Sequence, residues 1–205
     1  MDTVHTLFRF LSDCLFPPGE DELRVRELTQ EKLRHLLAVS LYKGVHTLYA
    51  YRNPYIKSAL WQLKYHDDRR IAKLLGSMVR EILLDDIQTP HLLLPIPLAP
   101  QRLRERGYNQ AERIAVSAAH NHPSITLATH LLKRRHHTSS QTRLGKHARR
   151  KNLAGAFQVS DPGQVKGVNV LLLDDVVTTG STLFHARDTL MEAGAKSVTM
   201  IALAH

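Results

Sequence analysis

The chain has 205 residues, 43% of them hydrophobic and 23% charged. That suits one full hydrophobic core with a small appendage and excludes wholesale disorder or a collagen-like chain. The formal net charge is +9, and no apolar run approaches the ~18 residues of a membrane span, so no membrane insertion is expected.

The first residues, MDTVHTLFRFLSDCLFPP, carry Asp2 where a secretory signal wants positive charge, and no small-residue cleavage site. A cytoplasmic location is the expectation. The single cysteine, Cys14, allows no internal disulfide and no cysteine-built zinc site. It reads as a small apolar residue. Pro17-Pro18-Gly19 breaks the chain. Residues 25–40 then read as one helical run, with Leu28, Leu33, Leu36 and Leu37 near helical spacing.

Residues 55–65 predict a helix with Ile56, Leu60 and Leu63 on one stripe. His66-Asp67-Asp68 is a break, and either aspartate suits the cap of a second helix. That helix gathers Ile71, Leu74, Leu75, Met78, Ile82 and Leu83 on a broad apolar face. The pattern then changes. HLLLPIP at 91–97 is a short apolar run closed by prolines, as in a buried strand. A loop with Arg102, Arg104 and Arg106 follows, then a helix over 109–120 with Asn109 as its cap. Arg102 and Arg106, four apart, suit one helical face.

Short strands are expected at 125–128 and 155–159. The run 168–173 is a continuous apolar strand, followed by a loop at 174–180. Residues 181–193 read as a helix with Leu183, Ala186, Leu190 and Met191 inward. Gly194 closes it, and 197–204 is a second β-rich run. Strand–helix–strand in this length is a βαβ unit. The fold class is therefore α/β, a twisted, mainly parallel sheet flanked by helices.

Two stretches carry chemistry. The segment 170–182, VLLLDDVVTTGST, leaves the carboxyl end of a strand and enters a helix, where open α/β folds bind ligands. Unpaired N–H groups and the helix dipole favour a phosphate there. Thr178, Thr179, Ser181 and Thr182 add hydroxyls, and Gly180 permits a positive φ. Asp174 and Asp175 are adjacent acids on an apolar strand. Such acids are costly to bury unless ribose hydroxyls or Mg2+ engage them. The chain has neither G-x-x-x-x-G-K-[ST] nor G-x-G-x-x-G, which disfavours a P-loop enzyme and a dinucleotide enzyme.

The second stretch is 133–151, KRRHHTSSQTRLGKHARRK, with eight Lys/Arg, three His and no acid. A patch this concentrated fits a polyanion. The thirteen histidines show no H-E-x-x-H or comparable metal spacing, and His136-His137 read as solvated.

The segment VLLLDDVVTTGSTL resembles the type I phosphoribosyltransferase signature, which binds 5-phosphoribosyl-1-pyrophosphate (PRPP). LPIPLAPQRLRERGYNQAERIA, LLKRRHHTSSQTRLGKHARRKNLAGAF and YIKSALWQLKYHDDRRIAKLLG are similar to the ComF/GntX branch. The resemblance runs from about residue 49 onward. It implies a phosphoribosyltransferase-like domain at 49–205 with a small hood, preceded by a helical segment at 1–48.

The resemblance also implies roles. Asp174 and Asp175 would meet the ribose hydroxyls, directly or through Mg2+, with Val176, Val177, Thr178, Thr179, Gly180, Ser181 and Thr182 around the 5′-phosphate. Lys64, Arg102, Arg106, Asn109 and Gln110 would lie on the pyrophosphate side. A closing, nucleic-acid-binding loop would carry Lys133, Arg134, Arg135, Gln141, Arg143, Lys146, Arg149, Arg150, Lys151 and Asn152. The implied setting is natural competence, with PRPP, Mg2+ and single-stranded DNA as ligands and DNA-uptake or recombination proteins as partners. Tyr108 and Phe157 are candidates for stacking bases near that loop.

Two departures matter. Family members often carry an N-terminal zinc-binding cysteine cluster. Only Cys14 stands here, so no zinc is expected. Salvage enzymes for 6-oxopurines carry an Asp where Thr178 stands, whereas orotate enzymes have Thr. A nucleobase or amine phosphoribosyltransferase and a non-catalytic PRPP sensor therefore stand as alternatives.

Overall fold

The computed structural model describes residues 19–135 and 156–205. Helix α1 (Glu20–Arg26) has Glu20, Asp21 and Glu22 in its first turn and Arg24 and Arg26 in its last, matching the helix dipole. Helix α2 (Gln30–His35) restarts at Thr29, whose side chain accepts from Lys32 N–H. The run 25–40, expected as one helix, is thus two short helices, because Thr29 turns extended and caps the second.

Strands β1 (Ser40–Tyr42) and β2 (Val45–Tyr49) form an unexpected antiparallel hairpin. Lys43 and Gly44 both take positive φ, the geometry of a two-residue turn whose twist matches paired strands. The boundary drawn after residue 48 falls within β2. Val25, Leu28 and Leu33 share one core with Ile56, Ile71 and Ile114.

Helix α3 (Pro54–Tyr65) is capped by Asn53, with Pro54 in the first turn. Asp68, rather than Asp67, caps α4 (Arg69–Val79), which runs on into a π-helical turn, Arg80–Leu84. Then come β3 (His91–Pro95), α5 (Pro100–Arg106), α6 (Gln110–Ala119) and β4 (Ile125–Leu127). The arginine-rich loop is therefore mostly a helix, started by Pro100. Strands β5 (Leu132–Arg134) and β6 (Phe157–Val159) pair antiparallel as a separate small sheet. After α7 (Pro162–Val165), the last third is β7 (Asn169–Val176), α8 (Ser181–Glu192) and β8 (Ser197–Ala204).

The main sheet has the order β1-β2-β8-β7-β3-β4. Every pairing in it is parallel except the β1–β2 hairpin. The expected α/β class and mainly parallel sheet are thus present. Strand β7 is central, and its side chains alternate between two cores. Leu171 and Leu173 join the core under α3, α4 and α6, while Val170 and Leu172 join the core with α8 and the small sheet. Met191, expected inward, is 44% exposed, and Leu183, Ala186 and Leu190 bury α8 instead. Among the described residues, no helix is long and apolar enough to cross a membrane.

Candidate functional site

Pairing with β8 carries β7 past residue 173, where the loop was expected. Asp174 sits opposite Ala202 and Val176 opposite Ala204, and Val177 N–H donates to Ala204 O at 2.9 Å. Asp174 and Asp175 therefore lie in the strand and point to opposite faces of the pleat. Asp175 borders a cleft of about 490 Å3 together with Lys64, Tyr65, Arg102, Arg106 and Gln110. Asp174 instead borders a depression of about 40 Å3, formed with residues 176–183.

Asp175 is 6% exposed. Lys64 Nζ lies 2.8 Å from its Oδ2. The approach is that of an ion pair outside hydrogen-bonding angles, so Oδ2 is buried without a hydrogen-bond donor. Asp174 is half-buried, and its Oδ1 accepts from Asp175 N–H at 2.9 Å. Burial, then the charge of Asp175, pushes the Asp174 carboxyl well above the usual carboxylate range. The Asp175 N–H and the Lys64 ammonium act in the opposite direction. Two acids held this way fit ribose hydroxyls or a Mg2+ that takes its remaining oxygens from ligand and water. Among the described residues, no cluster of three His, Cys, Asp or Glu could hold a metal alone.

The depression is a backbone cradle. Gly180 takes φ +83° before α8, and a Cβ there would come within 2.6 Å of the Phe184 ring. Gly180 gives α8 no side-chain cap, and the Ser181 N–H makes only a long bond, 3.4 Å, to Thr179 Oγ1, so the helix start suits an anion. Thr178 and Thr179 are exposed, and Thr179 Oγ1 lies 2.9 Å from Ser181 Oγ. Val177 is buried in the core with α8 and Val176 is half-buried against the opposite core, so both side chains serve packing. Their contribution to a ligand is limited to the backbone.

Across the cleft, α5 presents Arg102 and Arg106 on one face, as their spacing predicts. Arg106 donates to Gln110 Oε1, and its guanidinium stands 5.8 Å from the Tyr65 ring centroid. Asn109 does not line the cleft. Its side chain accepts from Ala111 N–H and donates to Ile96 O at 2.9 Å, so it braces the turn after β3.

Arg134 ends β5, at the start of the basic stretch. It is half-buried beside the Phe157 ring, and burial, then the charge of Arg102, lowers its pKa, while Asp174 opposes the shift. Lys133 and Arg135 are exposed, and Arg135 Nε donates to Gln158 at 3.3 Å. Gln141, Arg143, Lys146, Arg149, Arg150, Lys151 and Asn152 lie outside the described residues.

Of the two aromatic candidates for base stacking, Phe157 is buried and Tyr108 half-buried. Phe157 is 4% exposed, and Tyr108 Oη accepts from Asp67 N–H at 2.9 Å. Sequence reasoning missed Tyr65 and Glu105 as cleft residues. Only their position next to Lys64 and Arg106 could have pointed to them.

Residues 105–205 match the phosphoribosyl transferase domain. The chain is 30% identical over 192 residues to DNA utilization protein YhgH of Salmonella typhi, covering 90% of this chain and 79% of that protein. It is 32% identical over 146 residues to Competence protein F of Haemophilus influenzae, across 70% of this chain. That match spans 63% of the Haemophilus protein's length. Among solved structures, orotate phosphoribosyltransferase of Mycobacterium tuberculosis is similar at 17% identity and TM-score 0.39, over 84% of this chain and 79% of that one.

Proposed function

Since the chain belongs to the ComF family of phosphoribosyltransferase-like proteins, we propose that it binds PRPP with Mg2+ at the carboxyl end of β7. The observation that carries this reading is the convergence on one strand end. Asp174 and Asp175 end β7 there, the start of α8 follows, and the guanidiniums of Arg102 and Arg106 line the cleft that Asp175 borders.

Each group has a stated task. Residues 178–182 take the 5′-phosphate on backbone N–H groups and hydroxyls. Asp174 and Asp175 accept from ribose hydroxyls or hold Mg2+, with Lys64 balancing the charge of Asp175. Arg102 and Arg106 face the pyrophosphate, and Gln110 holds Arg106 in place. When bound, Mg2+ would neutralise pyrophosphate charge.

The biological setting we propose is natural competence and DNA use, with single-stranded DNA as a second polyanionic ligand. The names of the Haemophilus and Salmonella relatives and the basic stretch at 133–151 support it. Acceptor transfer stands as the alternative: exposed Thr178 offers no carboxylate to a 6-oxopurine base, while orotate enzymes carry Thr there too.

Calorimetric titration with PRPP and Mg2+ tests the site on wild type and the double variant Asp174→Asn/Asp175→Asn. Binding to wild type and loss of binding in the variant is the expected result. Equal affinity in both would overturn the assignment.

A further inference from the structure

The solvent face of α3 is unusual. Its buried side is Ile56, Ala59, Leu60 and Leu63, as an amphipathic helix requires. The opposite stripe should be polar. It reads Lys57, Trp61, Lys64, Tyr65, at i, i+4, i+7 and i+8, so one helical face alternates cations with large rings.

The rings are open to solvent and lie against one another. Trp61 is 44% and Tyr65 64% exposed. Their centroids are 5.4 Å apart, and the His66 ring lies 4.8 Å from Trp61. A single exposed aromatic is ordinary, whereas a row of them marks a contact surface. The row borders a second hollow of about 300 Å3, and Lys64 and Tyr65 also line the anion cleft, so the two join. Arg106, over the Tyr65 face, marks the junction.

We infer that this face of α3 is a base-stacking track for single-stranded nucleic acid, distinct from the basic stretch at 133–151. The inference rests on the proposed DNA-linked role and moves base contact away from buried Phe157. Exposed rings stack bases of any sequence, and interleaved cations follow the phosphates. Lys57 has no ionic partner among the described residues, and Arg106 is held by the neutral Gln110, so both charges are open to phosphate. From Lys57 to Tyr65 the helix rises about 12 Å. That matches three to four stacked nucleotides at about 3.4 Å each. An open surface of this length suits a strand better than a lone nucleotide.

Trp61 is the sole tryptophan of the chain, so its emission reports on this face directly. The full chain is titrated with an oligothymidylate, thymidine monophosphate and inorganic polyphosphate. Affinity is measured in parallel with a labelled oligothymidylate on Trp61→Ala and Tyr65→Ala. The strand should quench Trp61 saturably, polyphosphate should not, and each variant should weaken binding about tenfold or more. Both substitutions lie on the solvent face, so melting temperatures should hold.

Strand binding with silent Trp61 and undiminished affinity in both variants would overturn the track and leave a DNA-binding role elsewhere. Equal quenching by polyphosphate would overturn stacking. Saturation by thymidine monophosphate at the same nucleotide concentration would overturn a strand as the occupant. Absence of any strand binding would overturn the track and the DNA half of the proposed function together, while PRPP calorimetry judges the phosphate site separately.

Discussion

Lys64 Nζ stands 2.8 Å from Asp175 Oδ2, joining the last turn of α3 to the carboxyl end of β7. Both side chains are largely shielded, at 25% and 8% exposure. Removing the ammonium leaves a buried carboxylate uncompensated, the costly way to break such a pair. Lys64→Met should lower stability by about 1–3 kcal/mol in denaturant titrations. Adding Asp175→Asn should recover part of that loss, and a double-mutant cycle measures the coupling.

Asp174 makes unliganded stability depend on pH. Its folded pKa is raised, by burial first and the Asp175 charge second. The folded chain therefore keeps this proton where the unfolded chain, with its carboxylate near about 3.9, has released it. The contribution to stability is full below that unfolded value and is lost as pH rises through the folded one. Asp174→Asn cannot ionise. In metal-free buffer without PRPP, its melting temperature should match wild type in acid and exceed it at neutral pH. A variant less stable than wild type at neutral pH would count against the raised pKa.

Gly180 is held by geometry on two counts. Its φ is +83°, and a Cβ would press to 2.6 Å of the Phe184 ring. Gly180→Ala should cost about 1–2 kcal/mol from the left-handed backbone alone. Displacement of Phe184 or of the turn should also weaken PRPP binding, which calorimetry reads. Phe184→Ala in the same background relieves the clash but not the backbone cost, so it should restore only part of the stability.

Tyr49 is fully buried, and its hydroxyl has no hydrogen-bond partner among the described residues. Burial pushes its pKa upward. Tyr49→Phe removes an unpaired polar atom while keeping the ring. Thermal melts should show a gain of about 1 kcal/mol.

Much of the site was legible because its signals are local. The continuous apolar run into Asp174-Asp175, the hydroxyl-rich turn and Gly194 delimit β7, α8 and β8 without reference to the rest of the chain. What escaped is what pairing decides. Strand β7 runs on to Val176 only because β8 lies beside it, and that extension sends the two aspartates to opposite faces. The β1–β2 hairpin is short and turns on Lys43-Gly44, a weak local signal. Arg134 lies beside the Phe157 ring because β5 pairs with the distant β6. Asn109 matched a motif, yet its side chain was needed for Ile96 and the start of α6.

Amide chemical-shift mapping with PRPP and Mg2+ tests the site most directly. The largest shifts should fall on residues 174–182, with further shifts at Arg102, Arg106 and Arg134, and the amides of α7 and β1 should stay still. Shifts concentrated elsewhere, with 174–182 unmoved at saturating ligand, would contradict a PRPP site at the end of β7.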